Sequence, residues 1–259
     1  MRTAIVTGAY GAIGRAIATG IARAGYRTVL IGRDRELLEK ACSDISLITG
    51  NQDVEFAVID LGLKEEILSY ARRWQGSLDL LVNNHATAPR QRRETPEGVE
   101  VQWAVNVMGY FHLTRSLSSC MEGTEDPRIV FVAIYWAGEL DMTDPEFTRR
   151  PYDNDTAYRQ AKQANRMLST AFASRLAEKG ITVNACHPGD VNSKLSNAFG
   201  FGGSETPEEG AATPLFLALS PTLKGVSGHY YEHLREARCR FSEDTKAVDR
   251  LFRLCEVDY

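Results

Sequence analysis

A strand that runs into regularly spaced glycines and straight out into a helix constrains a fold more than composition does. Residues 4–14 read AIVTGAYGAIG: an apolar run closing on Thr7, then Gly8, Gly11 and Gly14 three apart, with Ile13 inside a helical pattern. Glycine accepts left-handed backbone and close backbone approach at little steric cost. Gly8 suits a tight turn, Gly11 admits a phosphate, and Gly14 lets the helix pack on the strand. The first N–H groups of that helix would then face an anion such as a dinucleotide pyrophosphate. The alternative is a tight strand-to-helix turn that binds nothing.

The remaining chain repeats the alternation. Apolar, β-branched runs at 3–7, 27–32, 54–59, 78–83, 128–134, 181–187 and 228–231 alternate with helical periodicity. The helical segments are 12–24, 34–47, 63–74, 97–121, 156–178 and 207–219. Continuous apolar strands separated by helices predict an α/β protein: one doubly wound parallel sheet of the Rossmann type, helices on both faces. A single dinucleotide-binding and catalytic domain over 1–259 follows, since no repeat or Pro/Ser-rich linker divides the chain. Two polar stretches, 139–155 and 190–206, are expected to cover a substrate at the strand ends. The tail at 242–255 reads as a short surface helix.

Composition excludes more than it assigns. The net charge of −4 gives no electrostatic footprint for nucleic acid or anionic membrane. No run of about 18 apolar residues occurs, and the N-terminus lacks the apolar core of a signal peptide, so the chain reads as cytoplasmic. Cys42, Cys120, Cys186, Cys239 and Cys255 are scattered, as befits reduced thiols. His229 and His233 have ligand-like spacing without a third ligand, so no metal is expected. The PRQRR run at 89–93 reads as a solvated loop.

The second strand ends in LIGRD. Selectivity for NAD usually rests on an acid at this strand end, bonded to the ribose 2′-hydroxyl. Gly32 leaves that position without a side chain, and Arg33 follows. Arg33 and Arg15 together suit a 2′-phosphate, hence NADP(H), although Asp34 could still reach a ribose.

Several further stretches occur in register: LDLLVNNHA (78–86), VNVMGYFHLT (105–114), YRQAK (158–162) and HPGDVNS (187–193). With the glycine turn, they make the chain resemble the short-chain dehydrogenase/reductase family from Arg2 to Tyr231. TPEEGAATPLFLALSP and the His-Pro-Gly look most like its retinol-dehydrogenase-like members. The resemblance implies that Tyr158 is the catalytic tyrosine and Lys162 its lysine, one helical turn on. Lys162, together with the nicotinamide's positive charge, is expected to lower the Tyr158 pKa, and Lys162 also to bond the nicotinamide ribose. Asn106 matches the asparagine that supports a proton-relay water, Asn83 the residue closing the cofactor loop, and Asp60 with Leu61 the adenine contact. Pro188 and Gly189 match residues that shape the nicotinamide pocket, with Val191 and Ser193 bonding the carboxamide. The family also implies a homodimer or homotetramer through the helices near 97–121 and 156–178.

Three departures stand out. Ala12 replaces a glycine, and His85 enters the asparagine motif as a structural or a substrate-side residue. The third touches the chemistry. The family's serine pair falls on Ala133 and Ile134, and no Ser or Thr lies between 129 and 142. Losing one oxyanion donor costs roughly a hundred- to a thousand-fold in turnover. Either Tyr135, Trp136, Thr143 or His85 replaces the donor, or the substrate needs less help, as a quinone does. Tyr135, Trp136, Phe147, Tyr152, Phe199 and Phe201 are candidates to line an aromatic pocket. The expectation is an NADP(H)-dependent reductase of a bulky carbonyl or quinone-like aromatic compound, in secondary metabolism. The alternatives are a non-catalytic NADP(H)-binding sensor or interaction module, and non-redox chemistry on this fold.

Overall fold

The computed structural model describes residues 1–200 and 202–257. Eight strands form one sheet: β1 (Thr3–Thr7), β2 (Arg27–Gly32), β3 (Val54–Val58), β4 (Leu80–Asn83), β5 (Arg128–Val132), β6 (Thr182–Cys186), β7 (Tyr230–Glu232) and β8 (Arg235–Ala237). Their order is β3-β2-β1-β4-β5-β6-β7-β8. Every pair is parallel except β7–β8, an antiparallel edge hairpin. β8 escapes the sequence reading because REA carries no apolar alternation and is only three residues long.

Alternate strand residues serve opposite faces, as the pleat requires. Ala4, Val6, Leu30, Val82 and Val130 pack under α1 (Ala12–Arg23), α2 (Arg35–Thr49) and, later in the chain, α8 (Pro207–Leu219). Ile5, Ile31, Leu81, Ile129 and Phe131 face the other side. There they meet α3 (Lys64–Arg73), α4 (Val101–Trp103), α5 (Gly109–Leu117), α6 (Asn154–Leu176) and α9 (Thr245–Val257). A π-helical turn, Ala104–Met108, joins α4 to α5 inside the predicted helix 97–121. A short helix, α7 (Lys194–Phe199), interrupts the stretch expected as loop at 190–206.

The C-terminal helix corrects one expectation. It is no simple surface helix: Val248, Leu251, Phe252 and Cys255 are buried. The Phe252 ring lies 5.2 Å from both Phe111 of α5 and Phe172 of α6. Arg175–Asp249 at 2.9 Å and Arg115–Glu256 at 3.3 Å fasten its rim. α9 thus packs against part of α5 and α6.

The strand order reverses between β1 and β4. Doubly wound sheets open a crevice there, at the C-terminal strand ends. No helix of the described residues is long and apolar enough to cross a membrane.

Candidate active site

Thr7 is the joint at the crevice. Its buried hydroxyl donates to the Val82 carbonyl and accepts the backbone N–H groups of Asn84 and His85 at 2.9 and 3.0 Å. Thr7 thus ties β1 to the loop after β4, and its side chain is spent on that tie. Gly8 takes positive φ (67°), and a Cβ on Gly14 would stand 2.3 Å from the Gly8 carbonyl. Both glycines are required by the turn itself. Gly11 caps α1 without a side chain, so the first-turn N–H groups face the crevice uncapped.

Cofactor-side residues divide sharply. Arg33 is exposed at the end of β2 and has no ion-pair partner among the described residues. Arg15 does not join it: its guanidinium pairs with Asp44 at 2.7 Å. Asp34 caps α2 by accepting the Leu37 N–H at 3.0 Å. Gly32 has a local reason to lack a side chain. Tyr10 lies over it, and a Cβ there would come within 2.3 Å of the ring. Asp60 closes its own turn by accepting the Gly62 N–H, while Leu61 is buried in the core.

Asn83 points inward, donating to Thr114 Oγ1 at 3.0 Å in a fully buried setting. Its neighbour Asn84 is the residue that reaches the cleft, donating to the Thr7 carbonyl at 2.9 Å. Adjacent residues leaving a strand end face opposite ways, so the doubled asparagine of NNHA left that choice open. His85 lies beside Gly8. Burial, reinforced by the nearby Arg33 charge, pushes its imidazole down to about 4.

The cleft itself gathers Ile13, Asn84, Ala133, Ile134, Trp136, Tyr158, Lys162, His187, Pro188, Gly189, Val191, Ser193 and Phe199, from five segments of the chain. Tyr158 and Lys162 lie one turn apart on α6. The Lys162 Nζ sits 5.6 Å from the Tyr158 ring centre and donates to the Val132 carbonyl at 2.9 Å. Burial pushes Lys162 down to about 7. Burial also raises the Tyr158 phenol, and no charge of the protein offsets it. The expected lowering depends on Lys162 acting together with the positive charge of a bound nicotinamide. Asn106, in the π-helical turn, accepts the Thr87 N–H at 2.8 Å and donates to the Thr87 carbonyl at 2.9 Å. It fixes the loop that lines the cleft floor.

The far wall runs from Pro188 to Phe199. Gly189 has φ 104°, and the Glu205 carboxylate packs where a side chain would stand. Val191 pairs with Glu205 in a parallel bridge. Ser193 forms a capping box with Ser196 at the start of α7, so its hydroxyl is committed to the helix. Phe199 and Trp136 cover Tyr158 at ring separations of 5.1 and 5.8 Å, which leaves the tyrosine 5% exposed.

Other aromatic candidates lie elsewhere. Phe147 packs edge-on against Tyr152 at 5.3 Å, and the Tyr152 hydroxyl accepts from Gln102 at 2.8 Å. Both belong to a folded turn around Asp144, which is why 139–155 does not line this cleft. Tyr135 is 50% exposed on an adjoining hollow with Asp190 and Gly203. The Thr143 hydroxyl is held by Asp141. Phe201 lies outside the described residues.

A family model for short chain dehydrogenases matches residues 2–200. The chain belongs to the short-chain dehydrogenase family. Among its relatives is a probable oxidoreductase of Streptomyces antibioticus, 36% identical over 92% of this chain and 86% of that protein. Retinol dehydrogenase 13 of Mus musculus is 32% identical over 97% of this chain and 81% of its own. A crystal structure from Beutenbergia cavernae, assigned as an NAD(P)-dependent gluconate 5-dehydrogenase with bound NADP, is 29% identical with a TM-score of 0.73. It covers 90% of this chain and 94% of that one. In this short-chain dehydrogenase the end of β5 brings Val132, Ala133 and Ile134 to the cleft, none of which carries a hydroxyl. Ile134, 6% exposed, packs with Ala137 and Tyr158. Sequence reading passed over His187 and Tyr10; the His-Pro-Gly and the tyrosine inside the glycine turn were the available signals.

Proposed function

We propose that this chain is an NADP(H)-dependent reductase of a bulky carbonyl or quinone-like aromatic substrate. The reading rests on one juxtaposition: Tyr158 and Lys162 share a largely apolar cleft at the sheet's switch point with Ile134. The glycine turn fits a pyrophosphate, since its helix start is uncapped and its glycines leave no room for side chains. Arg33, exposed and unpaired, suits the 2′-phosphate; Arg15 is withdrawn from that role by Asp44. The NADP reported with the Beutenbergia cavernae relative points the same way.

When bound, the nicotinamide supplies hydride. Tyr158 holds the proton that the reduced substrate oxygen receives, and burial keeps it protonated until that oxygen develops charge. Lys162, held between the Val132 carbonyl and the Tyr158 ring, orients the ribose and shifts positive charge toward the phenol. Asn106 keeps the 87 loop in place beneath them. Ile134 and Trp136 exclude water and offer apolar surface to a planar ring.

The test is NADPH consumption against ketones and polycyclic quinones, with and without oxygen. Turnover of either class supports the reading. Tight NADPH binding without any turnover would favour a binding module, the reading that the missing hydroxyl at Ile134 supports.

A further inference from the structure

The donor missing from β5 has a counterpart on the next strand. β5 and β6 are parallel and in register at Val132 and Cys186, and the Ala133 N–H donates to the Cys186 carbonyl at 2.7 Å. One residue beyond Cys186 stands His187, 3% exposed and lining the same cleft as Ile134, Tyr158 and Lys162.

Its ring is fixed by packing and backbone. The main-chain N–H donates to the Tyr231 carbonyl at 2.9 Å, the Tyr135 ring meets it edge-on at 4.8 Å, and His233 lies 6.2 Å away. His233 is held there by a hairpin turn in which both His233 and Leu234 have positive φ, 47° and 64°. Positive φ at both positions is what a two-residue turn between β7 and β8 requires. The imidazole itself is not hydrogen-bonded. Nδ1 is buried with no partner, and Nε2 stands 4.0 Å from Asp190 Oδ1, beyond hydrogen-bond reach. Burial keeps the ring neutral at ordinary pH. In either tautomer the ring's single N–H has no acceptor of the protein within hydrogen-bond reach and is available to a ligand.

We infer that His187 is the second hydrogen-bond donor to the substrate oxygen, in the place that a serine on β5 would take. This rests on the carbonyl-reductase reading of the cleft. Tyr158 passes its proton to the oxygen, while His187 keeps its own and only polarises the carbonyl. A buried polar side chain left without a partner is rare in folded proteins and calls for such a reason.

The experiment has two arms. In the first, acetophenone and menadione turnover is measured at saturating NADPH for wild type, His187→Leu and His187→Leu with Ile134→Ser. Loss of about a hundredfold with acetophenone is expected for His187→Leu, with a smaller loss for menadione and unchanged NADPH affinity by fluorescence. Partial rescue by Ile134→Ser supports the assignment; unchanged acetophenone turnover in His187→Leu overturns it. In the second arm, wild type labelled in histidine ¹⁵N and isoleucine methyls is saturated with NADP⁺ and titrated with each probe by NMR. Movement of both the His187 nitrogen and the Ile134 methyl signals supports the role, even if turnover is slow or His187→Leu fails to fold. Ile134 moving without His187 overturns the donor role alone. Neither moving overturns the carbonyl reading and the inference with it.

Discussion

Tyr158 is a phenol beneath two rings, with a lysine that burial holds near neutrality and no hydroxyl neighbour on β5. Tyr158→Phe keeps the ring packing on Phe199 and Trp136 and removes only the proton source. Turnover should fall at least a hundredfold with NADPH affinity intact, checked by steady-state kinetics and fluorescence titration. The two arginines separate cleanly at this scale. Arg33→Ala should erase most of the preference for NADPH over NADH, since a charge-assisted bond contributes about 1.5–3 kcal/mol, or roughly ten- to a hundred-fold in affinity. Arg15→Ala should leave that ratio within about twofold because its partner is Asp44. Equal losses in the two variants would return Arg15 to the phosphate site.

Helix α6 does more than carry the tyrosine and lysine. Its cations bind successive carbonyls of the segment that leaves β5: Lys162 to Val132 at 2.9 Å, Arg166 to Ile134 at 3.4 Å and Arg159 to Trp136 at 3.1 Å. Arg166 is buried against the Tyr230 ring at 3.6 Å. One face of one helix therefore shapes the wall where serine is absent. Arg159 is the testable member, being partly exposed and paired with Glu139. Arg159→Ala should free the Trp136 carbonyl and raise KM for the aromatic substrate several-fold. NADPH affinity should stay the same, because the Val132 and Ile134 anchors remain.

At the scale of the molecule, α9 packs against α5 and α6, two helices expected to carry a dimer contact. The chain is expected to sediment as a monomer, and a dimer would show association through another surface. Phe252→Ala should cost about 3 kcal/mol, since the ring is buried between Phe111 and Phe172. Acid stability is a second whole-molecule property. Burial pushes His112 and His187 down to about 4. Unfolded histidines titrate near 6.5. Between those values the unfolded chain binds more protons, so stability is full above about 6.5 and lost as pH falls toward 4. The melting temperature should drop steeply across that window, and His112→Gln should flatten the drop.

The sequence by itself determined the local geometry. The glycine turn, the alternating strands and helices, the one-turn spacing of Tyr158 and Lys162, and the absence of a hydroxyl near Ile134 all follow from residues close together in the chain. Backbone sterics and side-chain period act at short range, and they leave a readable pattern. Only the tertiary structure decided which polar groups were already spoken for. Asp44, twenty-nine residues after Arg15, neutralises it; Thr114 draws Asn83 inward; Tyr10 keeps Gly32 bare. The tertiary structure also set His187 next to Ala133 across the β5–β6 pair and packed α9 against α5 and α6. Those outcomes depend on pairings between distant segments, where burial and competition for hydrogen-bond partners choose among residues that look alike in one dimension.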